Sequence, residues 1–215
     1  MQRFFDVLFS GLALIVLTPL LVPVAVILRC TGEGEIFYRQ TRVGLGGEPF
    51  ALLKFATMLK DSPNIGAGEI TLRHDPRVLP FGRFLRKTKL NELPQLINIL
   101  RGELSVVGPR PMVPNTYAKY PPQAQEELNT VRPGLTGVGS IIFRDEERWL
   151  DGADDPQAVY DQQIIPYKAE LERWYVRNQS LRLYFEAIAL TAWVVVFPRS
   201  SLPRRVWPEL PPAPS

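Results

Sequence analysis

Arg86 to Pro111 reads RKTKLNELPQLINILRGELSVVGPRP, a basic cluster, a helix start and a Gly-Pro-Arg-Pro turn in one run. Asn91 is suited to cap a helix, Glu92 to take its first position, and Pro94 to sit in its first turn, where a missing N–H costs nothing. The helix predicted on this basis runs from Glu92 to Leu100. Its unsatisfied N–H groups, its dipole and the cations Arg86, Lys87 and Lys89 just upstream together make an anion site. An ordinary capped amphipathic helix with a solvated basic approach fits the same residues, and the local pattern leaves both readings open.

Outward from that run, the chain reads as α+β, a single compact domain. Upstream, Glu35 to Arg39 and Pro49 to Phe55 are predicted strands around a Gly-rich turn, Gly44 to Gly47, and Asp61 to Gly68 is predicted loop. Val78 to Lys87 is a predicted short helix with Leu79, Phe81, Phe84 and Leu85 as its apolar residues. Downstream, Tyr117 to Leu128 and Gln157 to Arg177 carry helical patterns with one polar face. Leu181 to Phe197 is a more apolar helix, interrupted only by Arg182 and Glu186 and followed by Arg199, Arg204 and Arg205. It suits a bilayer interface as an amphipathic helix, and equally a packed core. Pro198 to Ser215 is a Pro-rich basic tail that need not fold.

Val7 to Leu28 is a stretch of about twenty-two uncharged residues, long enough to cross the hydrocarbon layer as a helix. Pro19 and Pro23 each remove a helical hydrogen bond, so a kink is expected at Pro19, with Thr18 placed to satisfy a freed carbonyl. Arg3 on one flank and Arg29, Arg39 and Arg42 on the other all favour the cytoplasmic face. A re-entrant helix accommodates both flanks there, whereas a straight span does not. No small-residue cleavage site follows the apolar run, which argues against a cleaved signal peptide.

Composition narrows the function classes. With 215 residues, 46% of them hydrophobic, the chain suits a globular domain that also carries a membrane segment. The formal charge of +3 and the pI near 9.1 are mild. Beside an apolar segment such an excess points to anionic lipid headgroups, and no nucleic-acid motif is present. The single Cys30 excludes an intrachain disulfide and reads as a small apolar residue at a helix end. A single histidine, His74, argues against a His-based metal cluster or a Ser-His triad.

Several segments together resemble the bacterial sugar transferases, the monotopic phosphoglycosyl transferases that move a phosphosugar from a nucleotide sugar to a polyprenyl phosphate. They are Lys54-Phe55-Ala56-Thr57-Met58, Asp75-Pro76-Arg77-Val78, Leu90 to Leu96, Gly102 to Pro111 and Arg132-Pro133-Gly134-Leu135-Thr136-Gly137, with the N-terminal apolar stretch. The resemblance covers nearly the whole chain. It implies a re-entrant membrane anchor over 1–30, a catalytic domain over 31–197 and the tail over 198–215, on the cytoplasmic face of the bacterial inner membrane. It also implies transfer from a UDP-sugar to undecaprenyl phosphate, releasing UMP and initiating exopolysaccharide, O-antigen or other glycoconjugate synthesis. The partners would be the UDP-sugar, polyprenyl phosphate and membrane lipids.

By the same resemblance Arg86 and Arg110 bind phosphate or nucleotide, and Lys54 assists from the hairpin. Arginine's planar fork matches phosphate oxygens in pairs, which makes these roles chemically sound. Arg132 opens a turn that fits an active-site loop and a simple chain reversal equally. Mg2+ shares the charge of the phosphoryl centre, with Glu92 as its ligand and Asp75 and Glu103 as helpers. Three positions depart from the family pattern: Asn91 stands before Glu92 where the family carries Asp, Ala56 where a basic residue is usual, and Glu172 where the pattern has Asp. A carboxamide is a far weaker nucleophile than a carboxylate. The expected function is therefore a transferase in which Asn91 hydrogen-bonds while Glu92, or the lipid phosphate directly, carries the transfer. The alternatives are an impaired regulatory relative that binds nucleotide sugar or lipid, or a structural partner in an assembly complex.

Overall fold

The structure, a computed structural model, describes residues 1–62, 75–144 and 155–213. His74 and most of the loop expected from Asp61 to Gly68 fall outside the described residues. Helix and sheet are mixed, as expected, and the chain clusters into two compact units. One comprises Met1–Asp6, Thr41–Phe50 and Gly102–Ser215; the other comprises Val7–Gln40 and Ala51–Arg101.

Helix α1, Gln2–Cys30, is continuous through Pro19 and Pro23, so the kink expected at Pro19 does not interrupt it. The two prolines are one turn apart and remove donors from the same face, which leaves the ladder on the opposite face whole. Thr18 Oγ1 donates to Leu14 O at 2.6 Å, rather than to the Ile15 carbonyl that Pro19 frees. By length and composition α1 can cross a membrane, with a mean hydropathy of 2.7 over its most apolar window. Leu12, Ile15, Val16, Val22 and Val26 on it are exposed.

Strand β1, Phe37–Val43, pairs with β2, Pro49–Phe55. The turn between them is closed by Gly44 N–H donating to Glu48 O at 2.8 Å, and β1 runs up to it, four residues beyond its predicted end. In the unit of Val7–Gln40 and Ala51–Arg101, α2, Pro80–Lys87, begins with Pro at its first position. Leu59 N–H donates to Arg77 O and Leu79 N–H to Thr57 O, both at 3.0 Å, and this short pairing seats the start of α2. After α2, Leu90–Glu92 forms a 3-10 turn and α3 runs over Gln95–Arg101. Val24 and Leu28 from α1, Phe55 from β2 and Leu85 from α2 form the core here.

In the other unit, β3, Ser105–Val107, pairs in parallel with β4, Gly134–Thr136, with Ser105 opposite Gly134 and Val107 opposite Thr136. A Cβ at Gly134 would lie 2.0 Å from Gly108 N, so this crossing requires glycine. The single helix expected from Tyr117 to Leu128 is two: α4, Pro114–Tyr117, and α5, Pro122–Leu128. Pro121 and Pro122 end one and start the other. Helix α6 follows over Val138–Ile142.

The helix expected from Gln157 is present as α7, Pro156–Val159, a π-helical turn over Tyr160–Ile164 and α8, Ile165–Arg177. The π turn falls just before Pro166, which has no N–H to give to a regular ladder. Tyr120, Ala124 and Leu128 pack with Ile165 and Ala169 between α5 and α8. Ser180 caps α9, Leu181–Val196, by accepting from Leu183 N–H. The core reading holds for one face, where Leu183, Tyr184, Ala187, Leu190 and Val194 are buried, while Phe185, Trp193, Val195 and Val196 on the rest of the helix are exposed.

The tail after Pro198, expected to be free to remain unfolded, instead contains α10, Leu202–Val206, and buries Trp207 and Leu210. Trp207 Nε1–H donates to Glu186 Oε2 at 2.9 Å, which supplies the anchor that a proline count does not show. At the other terminus, Asp6 is 2% exposed and accepts from Ser105 Oγ, from Val106 N–H at 2.9 Å and from Tyr184 O–H at 3.0 Å. Gln2 Nε2 donates to Ser105 Oγ and Val107 O.

Candidate functional site

Lys54, Arg86, Asn91 and Glu92 belong to one unit, and Arg110 and Arg132 to the other. Lys89 adopts φ 60°, the only left-handed non-glycine backbone among the described residues. It turns the chain out of α2 and into the Leu90–Glu92 turn, so Asn91 does not cap the following helix as its position suggested. That helix starts three residues later than predicted, at Gln95. Asn91 is instead 8% exposed, inside the turn, with its Oδ1 buried and no hydrogen-bond partner among the described residues. The expected anion site at a capped helix start is therefore a 3-10 turn with an unsatisfied amide oxygen.

Glu92 beside it is half-buried, and no hydrogen bond or ion pair engages its carboxylate among the described residues. Helix α2 packs against this turn and carries Arg86, whose Nη1 approaches Met58 Sδ at 3.4 Å and meets no carboxylate among the described residues. Lys54 on β2 donates from Nζ to Gln40 Oε1 at 3.3 Å. Asn98, which sequence reading did not single out, ties α3 to β2: its Oδ1 accepts from Leu53 N–H at 2.9 Å and its Nδ2 donates to Ala51 O at 2.8 Å. Its only signal was a lone amide in the apolar run Leu96-Ile97-Asn98-Ile99-Leu100.

One expected helper, Asp75, and one departing position, Ala56, have other work or other surroundings. Asp75 is 3% exposed and accepts from Arg77 N–H, Nε and Nη2, the last at 2.6 Å, while Arg77 Nη1 donates to Ser62 O. It is thus a buried ion-pair partner rather than an open metal ligand. Ala56 is buried and donates its N–H to Ile36 O, so the position lies inside the fold. Among the described residues no three His, Cys, Asp or Glu side chains gather to hold a metal ion.

In the other unit, Arg110 is exposed in the Gly108–Pro111 turn at the end of β3. A shallow, open cleft lies beside it, lined in part by Gly44, Met112, Tyr117 and Asn129. Tyr117 O–H donates to Asn129 Oδ1 at 2.7 Å, and burial pushes its phenol upward. Arg132 Nε donates to Gly102 O at 2.7 Å, which braces the loop before β4 and leaves the rest of the guanidinium exposed. Glu103 is half-buried at the head of β3.

Glu172 on α8 is 3% exposed; its Oε1 accepts from Arg110 N–H at 3.2 Å and its Oε2 is buried without a partner among the described residues. Burial, offset by the Arg110 hydrogen bond and by the charges of Arg110 and Lys168, raises its pKa to about 7.

A family model described as bacterial sugar transferase matches residues 1–198. Among curated relatives, the exopolysaccharide production protein ExoY of Sinorhizobium fredii is 42% identical over 159 residues, 67% of this chain and 70% of that protein. The undecaprenyl-phosphate glucose phosphotransferase of Komagataeibacter xylinus is 35% identical over 93% of this chain, which spans only 36% of that longer protein. The UDP-glucose:undecaprenyl-phosphate glucose-1-phosphate transferase of Caulobacter vibrioides is 35% identical, over 80% of this chain and 63% of its own length.

Proposed function

Because this chain belongs to the bacterial sugar transferase family, we propose that it transfers a phosphosugar from a UDP-sugar to undecaprenyl phosphate, releasing UMP, as the first step of exopolysaccharide or related glycoconjugate synthesis. The observation that carries the reading is the Lys89–Glu92 turn. Among the described residues it holds an unpaired carboxylate and an unsatisfied buried amide oxygen, and α2, which carries Arg86, packs against it. A buried polar group without a partner costs about 1–3 kcal/mol, a cost that a donor on the bound substrate, such as a sugar hydroxyl, relieves for this oxygen. Arg86 neutralises phosphate charge and Lys54, in the same unit, adds a second cation; Arg110, in the other unit, is read separately as a phosphate or nucleotide ligand. The exposed apolar surface of α1 keeps the chain at the membrane, on the cytoplasmic face, where the lipid acceptor lies.

The reaction is a displacement at the β-phosphorus: an oxygen nucleophile forms a new P–O bond, the bond to UMP breaks, and UMP leaves with that electron pair. Asn91 is no nucleophile for this step; its Nδ2–H donates to a phosphate oxygen, while its Oδ1 accepts from a substrate hydroxyl. The attacking oxygen belongs to Glu92 or to the lipid phosphate. The residues present fit Mg2+, because that ion needs only one or two carboxylates once phosphate oxygens complete its shell. Glu92 would hold it, and bound there it supplies neutralisation of the charge developing on the diphosphate.

The test is UMP release by the purified protein with magnesium, undecaprenyl phosphate and a panel of UDP-sugars. Turnover is expected from the natural chain, and Glu92→Gln should lower it by at least about a hundredfold. UMP released before lipid is added would identify Glu92 as the attacking group; release only with lipid would identify direct attack. The second reading, a regulatory relative that binds without turnover, rests on Asn91 itself. It predicts UMP from Asn91→Asp and none from the natural chain.

A further inference from the structure

The Glu172 carboxyl is enclosed on every side. Helix α6 reaches it through Gly139, where a Cβ would stand 2.3 Å from Oε1, so the carboxyl lies directly against that backbone. The Gly108–Pro111 turn brings Arg110, whose N–H is its one hydrogen-bond donor among the described residues. Its own helix brings Lys168 one turn before it and the Tyr175 phenol after it, the latter pushed up to about 12 chiefly by burial. Helix α6, Val-Gly-Ser-Ile-Ile, brings no charge. Oε1 is therefore committed to the turn, while Oε2 faces no donor among the described residues and has room for a proton.

An ionised carboxylate here sits one hydrogen bond behind a residue read as a phosphate ligand. Its charge opposes any anion held by Arg110, and a dry setting strengthens that opposition. An anion at the turn and a proton on Glu172 must then favour each other reciprocally.

We propose that Glu172 is a positioning residue for the Gly108–Pro111 turn: its Oε1 fixes the Arg110 amide, and uptake of one solvent proton on Oε2 tightens the turn's hold on a nucleoside-diphosphate sugar. The proposal rests on the reading of Arg110 as a ligand of the donor phosphates. A purely structural strut would hold the turn equally at every pH.

The experiment uses the full chain in lipid nanodiscs with UDP-glucose as the probe, because its diphosphate diester keeps a constant charge between about pH 6 and 8.5. Affinity for UDP-glucose should fall about tenfold over that range, the equivalent of one pKa unit of coupling. In Glu172→Gln the profile should be flat at the tighter value, and Glu172→Asp should restore a slope. Independently of any ligand, the backbone amide resonance of Arg110 should titrate with a midpoint near 7 in the natural chain.

An Arg110 amide that does not titrate overturns the proposal, even if Glu172→Gln fails to fold. An affinity slope that survives Glu172→Gln overturns the proposal alone. Absence of binding at every pH by UDP-glucose and by every other UDP-sugar of the panel overturns both the proposal and the transferase reading; binding by another UDP-sugar alone moves the same pH series to that donor.

Discussion

Asn91 and Glu172 each bury an oxygen that nothing in the described chain satisfies, yet they pose opposite problems. The amide of Asn91 is neutral at every pH, and its oxygen can be completed only by a hydrogen-bond donor beyond the described residues. The carboxyl of Glu172 can become neutral by itself. Folding raises its pKa from an ordinary 4.5 to about 7, mainly because burial disfavours the charged form. Below about pH 4.5 both folded and unfolded chains hold the proton and burial carries no ionisation penalty. Above about 7 both have lost it and the penalty is complete. Stability should therefore fall as pH rises from about 4.5 to 7, by about 3 kcal/mol from this group. Urea unfolding across that range should show the fall in the natural chain and a flatter profile in Glu172→Gln.

At the scale of elements, helices α5 and α8 meet through Glu127, which accepts from Arg173 and Arg177, with N–O distances of 2.8 and 2.7 Å in the two ion pairs. The Arg177 and Arg173 guanidinium groups hold its carboxyl down at about 2. A depressed carboxylate stabilises the fold fully above about pH 4.5 and loses that contribution as pH falls through 2. Glu127→Gln should cost about 1 kcal/mol at pH 7, since the groups are only partly buried, and the gap to the natural chain should close on acidification. Thermal melts at pH 7 and pH 3 would read it.

The elements also show what local pattern conveys. Strand β2 and the end of α2 were legible from the alternation of Pro49–Phe55 and the apolar spacing of Leu79, Phe81 and Leu85. The parallel pair β3 and β4 was not, because three residues carry no period and the pairing depends on Gly108 and Gly134, which are far apart in sequence. The capping role expected of Asn91 failed for a similar reason. The decisive event is the left-handed Lys89, a conformation that lysine does not advertise. The candidate ligands were legible as types; their partners, such as Arg77 on Asp75 and Arg110 on Glu172, were not.

For the whole molecule, the orientation of α1 is the testable quantity. Gln2 and Asp6 near its start are hydrogen-bonded into folded structure, and Val24 and Leu28 near its end are buried in a core. Arginines on both flanks, Arg3 and Arg29, make entry and exit on one membrane face the expected topology. Cys30 is exposed at the end of α1 and is the chain's single thiol. A membrane-impermeant maleimide should label it in inside-out vesicles and leave it unlabelled in right-side-out ones. A cysteine introduced at Gln2 of a Cys30→Ser chain should behave identically if the helix is re-entrant, and oppositely if it spans.

The buried Asp6 also sets an order of events during synthesis. Its partners at Ser105 and Val106 emerge about a hundred residues after it, and Tyr184 stands 178 residues away. At about 5–20 residues per second, the anchor leaves the ribosome roughly 10 to 35 seconds before its last partner exists. Through that interval the head of the helix carries the charges of Arg3 and Asp6 without the partners that later enclose Asp6, and these charges keep it out of the lipid interior. The aspartate thus acts as a delay: the apolar segment can reach the bilayer early, but its head waits in water until the chain that will receive it has been made.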